Sequence, residues 1–301
     1  MTEREGKIAI ILNAGSGNRP HEESGETIAE LFRSAGRAVE LTLTHSPDEI
    51  IASVERAVAA GAAAIVAGGG DGTVNCVVAA SRGSDIPIGI LPLGTLNHFA
   101  KDLGIPLELE AAVRVILDGR TTRVDLGEVN GHCFLNNASL GLYPRVLQMR
   151  ARFPAKGVGK WIVAAWATLR VLRHNPQLVL QLSVDGEVVT RRTPLVMIAN
   201  NGYQMNGLDA GVRDSLADGE LAIYVVRATG RGALLRLLWR LLRRGEAADA
   251  LEVLRAVQVT VRPRHPEEPV AFDGEVAVLQ APLEFRLRPL ALRVLAPARE
   301  G

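Results

Sequence analysis

A run of four glycines and one aspartate, Gly68–Gly72, constrains this chain more than any other stretch. Apolar residues precede it (Ala62–Ala67), which predicts a buried strand, and a helical pattern begins at Thr73. Glycine permits positive φ and lets a ligand approach the backbone amides, while a helix start adds unpaired N–H groups. The combination favours an anion, most often a phosphate. The simpler alternative is a tight turn that needs glycine for its geometry alone.

Asp71 is the residue that a mere turn does not explain. A carboxylate among phosphate-binding amides would repel the ligand, unless it holds a cation or orients a water molecule. The sequence therefore predicts a nucleotide-phosphate site with Asp71 as a ligand of Mg²⁺. No loop ending in Gly-Lys-Ser or Gly-Lys-Thr is present, which excludes the more common P-loop type of nucleotide site.

The first third of the chain alternates strand and helix patterns. Strands are predicted at Lys7–Asn13, Val39–Thr44, Ala62–Ala67 and Ile88–Leu91. Helices are predicted at Thr27–Ser34, from the Ser46 cap to Ala60, from Thr73, and at Leu96–Leu103 and Leu109–Leu117. Such alternation predicts an α/β domain with a parallel sheet, whose ligands bind at the carboxyl ends of the strands. Three loops then share that edge: Asn13–Asn18, Gly68–Thr73 and Pro92–Asn97.

From about Thr122 the pattern changes to antiparallel β structure. Asn130-Gly131 and Asp185-Gly186 each join two strand-like runs, which is a strong hairpin signal. Further strands are predicted at Leu178–Val184, Leu195–Ala199, Leu221–Val226, Val257–Val261, Val270–Phe272 and Leu283–Leu287. Helical insertions are predicted near Pro154–His174 and Gly230–Leu254. We therefore expect a second domain that is rich in β structure.

Composition limits the class of protein. The 301 residues are 48% hydrophobic and 22% charged with a net charge of +1, so nothing favours a nucleic-acid partner. The two cysteines, Cys76 and Cys133, lie in apolar surroundings without metal-binding spacing. No signal sequence is visible, and no apolar run approaches the ~20 residues of a membrane span. We expect a soluble, cytoplasmic protein without a transmembrane segment.

Several motifs in a fixed order resemble the diacylglycerol kinase catalytic family. They are GGGDGTVN (68–75), LPLGTLNHFAKDLGIP (91–106), FLNNASLG (134–141), SLADGELAIYVV (215–226) and FDGEV (272–276). The family includes bacterial lipid kinases and sphingosine-type kinases, and is distantly related to NAD kinases and phosphofructokinases. The resemblance implies a nucleotide-binding domain, residues 1–125 completed by 289–301, and a sandwich-like lipid-substrate domain, residues 126–288. It also implies transfer of the γ-phosphoryl group of ATP to a lipid hydroxyl with Mg²⁺.

The resemblance also assigns residues. Those it implies near the nucleotide are Asn13, Ser16, Gly17, Thr44, Gly69, Gly70, Asp71, Gly72, Thr73, Gly94, Thr95 and Asn97. Asp273 and Glu275 match the catalytic DGE triplet, and Asp218 matches an acidic position linked in some bacterial members to a structural Mg²⁺.

The chemistry of phosphoryl transfer suits these assignments. The reaction needs positioning, charge neutralisation and a group that accepts the hydroxyl proton, and Asp273 is our candidate for that base. In a regular strand, Asp273 and Glu275 would share one face. The alternative is that Asp273-Gly274 is a hairpin turn like Asp185-Gly186, which also reads DGE. Only the later triplet follows the Pro-Val strand of the family, so we favour Asp273.

One residue departs from the family pattern. His98 stands where the family usually has Asp, and imidazole is a poor ligand for Mg²⁺. It is either an altered nucleotide contact or a residue packed near a helix start.

Two segments bear on the lipid. On a helix, four arginines would form one basic stripe suited to an anionic membrane at its inner, cytoplasmic face, or an ordinary solvated face: Arg236, Arg240, Arg243 and Arg244. The apolar run Lys160–Leu172 suits a core helix better than a lipid-entry cleft.

The alternatives left open are an enzyme of the NAD kinase kind with a polar acceptor, and an inactive lipid- or nucleotide-binding protein. The identity of the lipid and the oligomeric state are not predicted.

Overall fold

A computed structural model describes residues 6–15, 21–118, 120–152, 177–184, 186–204, 213, 215–227, 230, 232–233 and 250–298, with side chains omitted at 21–24 and 151–152. Ser16, Gly17, Asp185, the arginine stripe and the Lys160–Leu172 run lie outside these residues. Within them, no helix is long and apolar enough to cross a membrane.

The chain divides into two compact units: unit 1 comprises Met1–Leu126 and Pro289–Gly301, and unit 2 comprises Gly127–Arg288. Two strands run across these boundaries, β5 (Arg120–Val129) and β16 (Leu283–Ala296).

Unit 1 is an α/β layer structure. Its strands are β1 (Ile8–Asn13), β2 (Val39–Thr44), β3 (Ala64–Gly69) and β4 (Ile88–Pro92). Its helices are α1 (His21–Ser34), α2 (Pro47–Ala59), α3 (Asp71–Ala80), α4 (His98–Asp102) and α5 (Leu109–Asp118). The strands lie in the order β2-β1-β3-β4, all parallel, and Val294 of β16 pairs in parallel with Ile88 of β4. The predicted parallel α/β domain is confirmed.

Buried apolar residues hold the helices of unit 1 against its sheet. Helix α1 contacts α5, and α2 contacts α3, so the four longer helices form two pairs. Phe32, Val54 and Val77 are fully buried from α1, α2 and α3. Complete burial of side chains of this size contributes roughly 1.5–3 kcal/mol each, which fixes the strand ends that carry the loops.

Unit 2 is antiparallel. Its remaining elements are β6 (His132–Phe134), β7 (Asn137–Gly141), α6 (Leu142–Arg152), β8 (Leu178–Val184), β9 (Glu187–Thr193), β10 (Leu195–Asn200), β11 (Leu221–Val226), β12 (Leu251–Ala256), β13 (Gln258–Pro263), β14 (Glu267–Phe272) and β15 (Glu275–Gln280). One sheet has the order β12-β11-β10-β7-β14-β15, and in the other β16 pairs with β13, β13 with β8 and β8 with β9.

The core of unit 2 lies between these two sheets. Leu140 and Ile198 of the first sheet belong to the same buried cluster as Leu180, Val259 and Phe285 of the second. The predicted β-rich, sandwich-like second domain is confirmed.

The prediction of helix as far as Leu254 is wrong. Leu251–Leu254 begin β12, and Leu251 pairs with Val226 of β11. Cross-strand pairing decides the conformation here, as tertiary context often overrides local helical pattern.

Candidate active site

The predicted loops of unit 1 meet at one edge of its sheet. Because β1, β3 and β4 are parallel neighbours, their ends at Asn13, Gly69 and Pro92 lie side by side. Asn13 Nδ2 donates to Thr73 Oγ1 at 3.0 Å, and Leu93 N donates to Gly69 O at 3.0 Å. Three separate segments of sequence therefore form one surface.

The glycines of this surface are required for space. A Cβ on Gly94 would lie 2.4 Å from the Gly70 Cα, and a Cβ on Gly69 would lie 2.4 Å from Thr73 Oγ1. Neither Gly94 nor any glycine of Gly68–Gly72 has a positive φ, so the freedom of glycine to adopt positive φ is not used here. The two loops approach so closely that side chains would separate them.

Helix α3 begins without a side-chain cap. Gly70 is the N-cap residue, and the first helical bond runs from Val74 N to Gly70 O at 3.1 Å. The backbone N–H groups of the first turn thus have no side-chain acceptor at the cap and point out of the helix start. They supply the donors and the partial positive charge that a phosphate needs.

The Asp71 carboxylate has a structural contact. Its Oδ1 accepts a hydrogen bond from Phe99 N at 3.3 Å, at the start of α4. The reasoning that only a cation or a water explains this aspartate was therefore incomplete, because the carboxylate also links the two loops. Asp71 is half-buried, and no described donor contacts its Oδ2.

Asn97 shapes the second glycine loop. It is buried, has a φ of 51°, and its Nδ2 donates to Pro92 O at 3.1 Å and to Gly94 O at 2.8 Å. Its Oδ1 accepts from Gly94 N at 3.1 Å. The side chain is thus committed to the loop, whereas its neighbour Thr95 is exposed.

Thr44 and Thr73 are both buried. The Thr44 hydroxyl donates to Leu12 O at 3.0 Å and so ties β2 to β1. The Thr73 hydroxyl accepts from Asn13, as described above. Both threonines support the strand ends from within.

In unit 2, Asp273-Gly274 forms a tight turn. Phe272 and Glu275 are paired residues of β14 and β15, and the two residues between them have φ values of 48° and 91°. Positive φ at both central residues defines a type I′ hairpin turn. The expectation of a shared face for Asp273 and Glu275 therefore fails, because the turn places Glu275 on the next strand, where it is exposed.

The Asp273 carboxylate is held by three backbone amides. Its Oδ2 accepts from Leu135 N at 2.6 Å, and its Oδ1 accepts from Asn136 N at 2.9 Å and Asn137 N at 3.2 Å. The residue itself is half-buried, but the loop formed by residues 134–137 surrounds its carboxyl group. Burial raises the pKa of Asp273, opposed by the three amides and by the charge of Arg213. A carboxyl group with a raised pKa is the better proton acceptor.

Sequence reasoning missed the residues that support this loop. Arg213 is buried and donates to Leu135 O at 2.7 Å and to Asn136 Oδ1 at 2.8 Å, and Asn200 Nδ2 donates to Leu135 O at 3.0 Å. These residues belong to the motif FLNNASLG (134–141), to which the resemblance assigns no role. No local pattern marks Arg213, since its partners in this loop, Leu135 and Asn136, lie 78 and 77 residues earlier in the chain.

Two other predicted residues are exposed. Asp218 lies in a turn where its N donates to Asn201 Oδ1 at 3.1 Å, and His98 begins α4 with its side chain in solvent. The alternative prediction that His98 packs near a helix start is therefore wrong. Among the described residues, no group of three His, Cys, Asp or Glu side chains is arranged to hold a metal ion.

A cavity of roughly 280 Å³ lies at the amino-terminal edge of the sheet in unit 1, away from the loops. Ile8, Ala64 and Pro87 line it at the starts of their strands, together with Arg37 and Arg293. None of the predicted site residues contributes to it.

Two family models match the chain. The diacylglycerol kinase catalytic domain matches residues 7–129, and the YegS C-terminal NAD kinase beta sandwich-like domain matches residues 149–296.

Similar proteins cover either the whole chain or half of it. A Chromohalobacter salexigens protein named Probable lipid kinase YegS-like is 31% identical, over 98% of this chain and 94% of its own length. A Pseudomonas aeruginosa protein of the same name is 42% identical over 46% of each chain.

Solved structures share the fold. That of a diacylglycerol kinase from Bacillus anthracis has a TM-score of 0.69 at 20% identity, covering 97% of both chains. Yeast NADH kinase has a TM-score of 0.55 at 13% identity, covering 98% of this chain and 84% of its own.

The two units, with glycine loops in one and an amide-held aspartate in the other, are those of a lipid-kinase-like protein. The chain belongs to the family of YegS-like probable lipid kinases, and the resemblance inferred from its motifs is confirmed.

Proposed function

We propose that this protein is a kinase that transfers the γ-phosphoryl group of ATP to the hydroxyl group of a lipid, with Mg²⁺. The observation that carries the proposal is the carboxylate of Asp273, which three backbone amides hold at fixed distances. Membership of the family supplies the class of reaction, and the names of the relatives supply the lipid acceptor.

Asp273 is the proposed base. Each carboxylate oxygen can accept about two hydrogen bonds, and Oδ1 already accepts two. Oδ2 accepts one, from Leu135 N, and so keeps a lone pair for the proton of the acceptor hydroxyl. The amides hold the carboxylate in one orientation, so no reorganisation is needed at the moment of transfer. Glu275, exposed beside the turn, is the proposed residue that helps to hold or orient the metal ion.

The start of α3 is the proposed phosphate site. Gly69 and Gly94 let the chain approach Thr73 and Gly70 closely, and Gly70 and Gly72 belong to the proposed site by their place at the helix start. The amides of the first turn would donate to the phosphates of the nucleotide. Asn13, Thr44, Thr73 and Asn97 hold the loops in place, while Thr95 lies exposed beside them. Ser16 and Gly17 belong to the same proposed site by their place in the sequence.

Asp71 fits a cation that arrives with the nucleotide. Mg²⁺ in kinase sites is usually bound by one or two carboxylates together with phosphates and waters, and Asp71 offers one such oxygen. The ion, when bound, neutralises phosphate charge and orients the γ-phosphoryl group. Asp218 is a single exposed carboxylate, so its structural Mg²⁺ stays a prediction that the described side chains do not complete.

The proposal also covers the lipid acceptor and the location at which the protein meets it. The lipid is presented at a membrane surface or in a micelle, with the protein on the cytoplasmic face. The structure describes neither the arginine stripe nor the Lys160–Leu172 run.

The test is ATP consumption with and without mixed lipid micelles, followed by mass spectrometry of the products from a panel of lipid alcohols. A phosphorylated lipid that depends on Mg²⁺ supports the proposal. Phosphorylation of NAD instead would identify the alternative with a polar acceptor. Binding of ATP without turnover on any acceptor would identify an inactive nucleotide-binding protein.

A further inference from the structure

Unit 2 buries an arginine that the proposed reaction does not use directly. Arg213 is only 4% exposed. A buried guanidinium is costly unless its N–H groups find acceptors. Its Nη1 donates to Leu135 O at 2.7 Å and Asn200 O at 3.1 Å, and its Nη2 donates to Asn136 Oδ1 at 2.8 Å.

Two of these acceptors belong to the loop that holds Asp273. The peptide group between Leu135 and Asn136 accepts from Arg213 through its carbonyl and donates to Asp273 Oδ1 through its N–H at 2.9 Å. A cation and a carboxylate thus lie at the two ends of one peptide group. Each polarises that group and strengthens the hydrogen bond at the other end.

The segment 200–203 braces the same loop. Asn200 Nδ2 donates to Leu135 O at 3.0 Å, and Asn137 Nδ2 donates to the Tyr203 hydroxyl at 3.1 Å. The Arg213 guanidinium lies 5.8 Å from the centre of the Tyr203 ring, which adds a cation–π contact. Arg213 therefore contacts both the loop and the segment that supports it.

We propose that Arg213 is a positioning residue for the phosphoryl transfer: it fixes residues 134–137 so that their three amides converge on the Asp273 carboxylate. The assignment rests on the proposed function. Arg213 acts through the loop and not on the substrate. A lysine keeps the charge but presents one ammonium group, which cannot reproduce the planar fork that reaches Leu135 O, Asn136 Oδ1 and Asn200 O together.

Kinetic comparison of Arg213→Met and Arg213→Lys with the wild type tests the assignment. We expect kcat for Arg213→Met to fall roughly 10- to 100-fold, since small misplacements of reacting groups cost about that much, with KM for ATP unchanged. The charge of Arg213 lowers the pKa of Asp273. Its removal should therefore also shift the acidic limb of the pH profile of kcat, along which the rate falls on acidification, to higher pH. Arg213→Lys should lower kcat while moving this limb less.

Arg191→Met is the matched control. Arg191 donates to Glu252 at 2.9 and 2.6 Å in the same unit, without contact to the loop. It should leave both kcat and the acidic limb unchanged. It removes a hydrogen-bonded arginine from unit 2 without touching the loop, and so shows what loss of such an ion pair does by itself.

Amide exchange separates this proposal from the proposed function. Without substrate, Leu135, Asn136 and Asn137 should exchange faster in Arg213→Met than in the wild type or in Arg191→Met. If the wild type phosphorylates no acceptor, the proposed function fails, and exchange still decides whether Arg213 orders the loop. Equal exchange and an unmoved acidic limb in a folded Arg213→Met would overturn the proposal. If Arg213→Met does not fold, wild-type kcat in Arg213→Lys would overturn it.

Discussion

In unit 1, Gly70 and Gly94 face each other so closely that a Cβ on Gly94 would lie 2.4 Å from the Gly70 Cα. In unit 2, Asp273 and Gly274 turn the chain with positive φ, and a Cβ on Gly274 would meet nothing within 4 Å. Glycine thus permits a close approach of two backbone segments in the first region and a positive φ in the second. The two Asp-Gly pairs, 71–72 and 273–274, look alike in sequence, but Gly274 has a positive φ and Gly72 does not.

Backbone amides show the same contrast. At the start of α3 they have no side-chain cap, which leaves donors for a ligand. Around Asp273, three amides are used by the protein's own carboxylate. The amides of the first region are thus left without a side-chain acceptor, whereas those of the second are used by the protein's own carboxylate.

Asp273→Asn should have the largest effect. Loss of a general base lowers kcat by roughly 100- to 10,000-fold, and ATP affinity should change little because the predicted phosphate loops belong to unit 1. Steady-state kinetics and calorimetry of ATP binding measure both. Asp185→Asn, in the other DGE triplet, is the control and should keep wild-type turnover. If Asp185→Asn is the inactive variant instead, the base has been assigned to the wrong hairpin.

The pH dependence of the wild-type rate further tests the proposed role of the Asp273 carboxylate. Since burial raises the pKa of Asp273 above the ordinary 3.8, protonation on acidification should remove the base at a pH above that value. The rate should therefore fall along an acidic limb whose midpoint lies above 3.8, absent from the residual activity of Asp273→Asn. A midpoint at or below 3.8 would contradict this.

Gly94→Ala and Gly70→Ala distinguish the steric requirement for glycine in the fold from its role in ligand binding. The added Cβ of Gly94→Ala clashes with backbone, so the free energy of unfolding should fall by about 1–3 kcal/mol. For Gly70→Ala the nearest atom is the Gly94 Cα at 3.4 Å, so the fold should tolerate it while ATP affinity falls. Denaturant unfolding and calorimetry distinguish the two. Unchanged ATP affinity in Gly70→Ala, and still in the bulkier Gly70→Val, would mean that the glycine loop is only a turn.

Substitution of Asn97 should lower the free energy of unfolding moderately, through two effects that can be separated. Asn97→Gly removes the side-chain hydrogen bonds to Pro92 and Gly94 but tolerates the φ of 51°. Asn97→Ala removes the same bonds and adds strain of about 1–2 kcal/mol in the left-handed region. Denaturant unfolding should therefore rank Asn97→Ala below Asn97→Gly, and the reverse order would show that backbone strain is unimportant here.

His98→Asn should have the smallest effect. The side chain is exposed, so the free energy of unfolding should change by less than about 0.5 kcal/mol. If the imidazole contacts the bound nucleotide, calorimetry should give a weaker ATP affinity for the variant than for the wild type. Equal affinities would show that His98 lies outside the site.

Unit 1 was predicted well from sequence because its signals are local. An apolar run, a glycine loop and a helix start adjoin one another in the chain, and parallel neighbours bring their ends to one edge without further information. The contact of Asp71 with Phe99 could not be predicted, because it depends on how closely two loops approach.

The acidic site of unit 2 could be predicted only as a motif. The Asp-Gly pair signalled a turn, yet the groups that hold Asp273 come from residues 135–137, and Arg213 holds these from yet another segment. Such contacts are set by antiparallel register and not by spacing along the chain. The type I′ turn is the alternative that the sequence favours less, and the structure shows Asp273 in that turn with its carboxylate held by three amides.

Strand β16 also has a consequence for biosynthesis. It carries the chain from unit 2 back into unit 1, where Val294 lies beside Ile88 of β4. These last residues leave the ribosome after all of unit 2, so a nascent chain holds β4 with one edge unpaired while unit 2 is being made. An exposed edge of this kind invites pairing with another chain. A fragment limited to residues 7–129, although it matches a whole family model, would keep that edge permanently open.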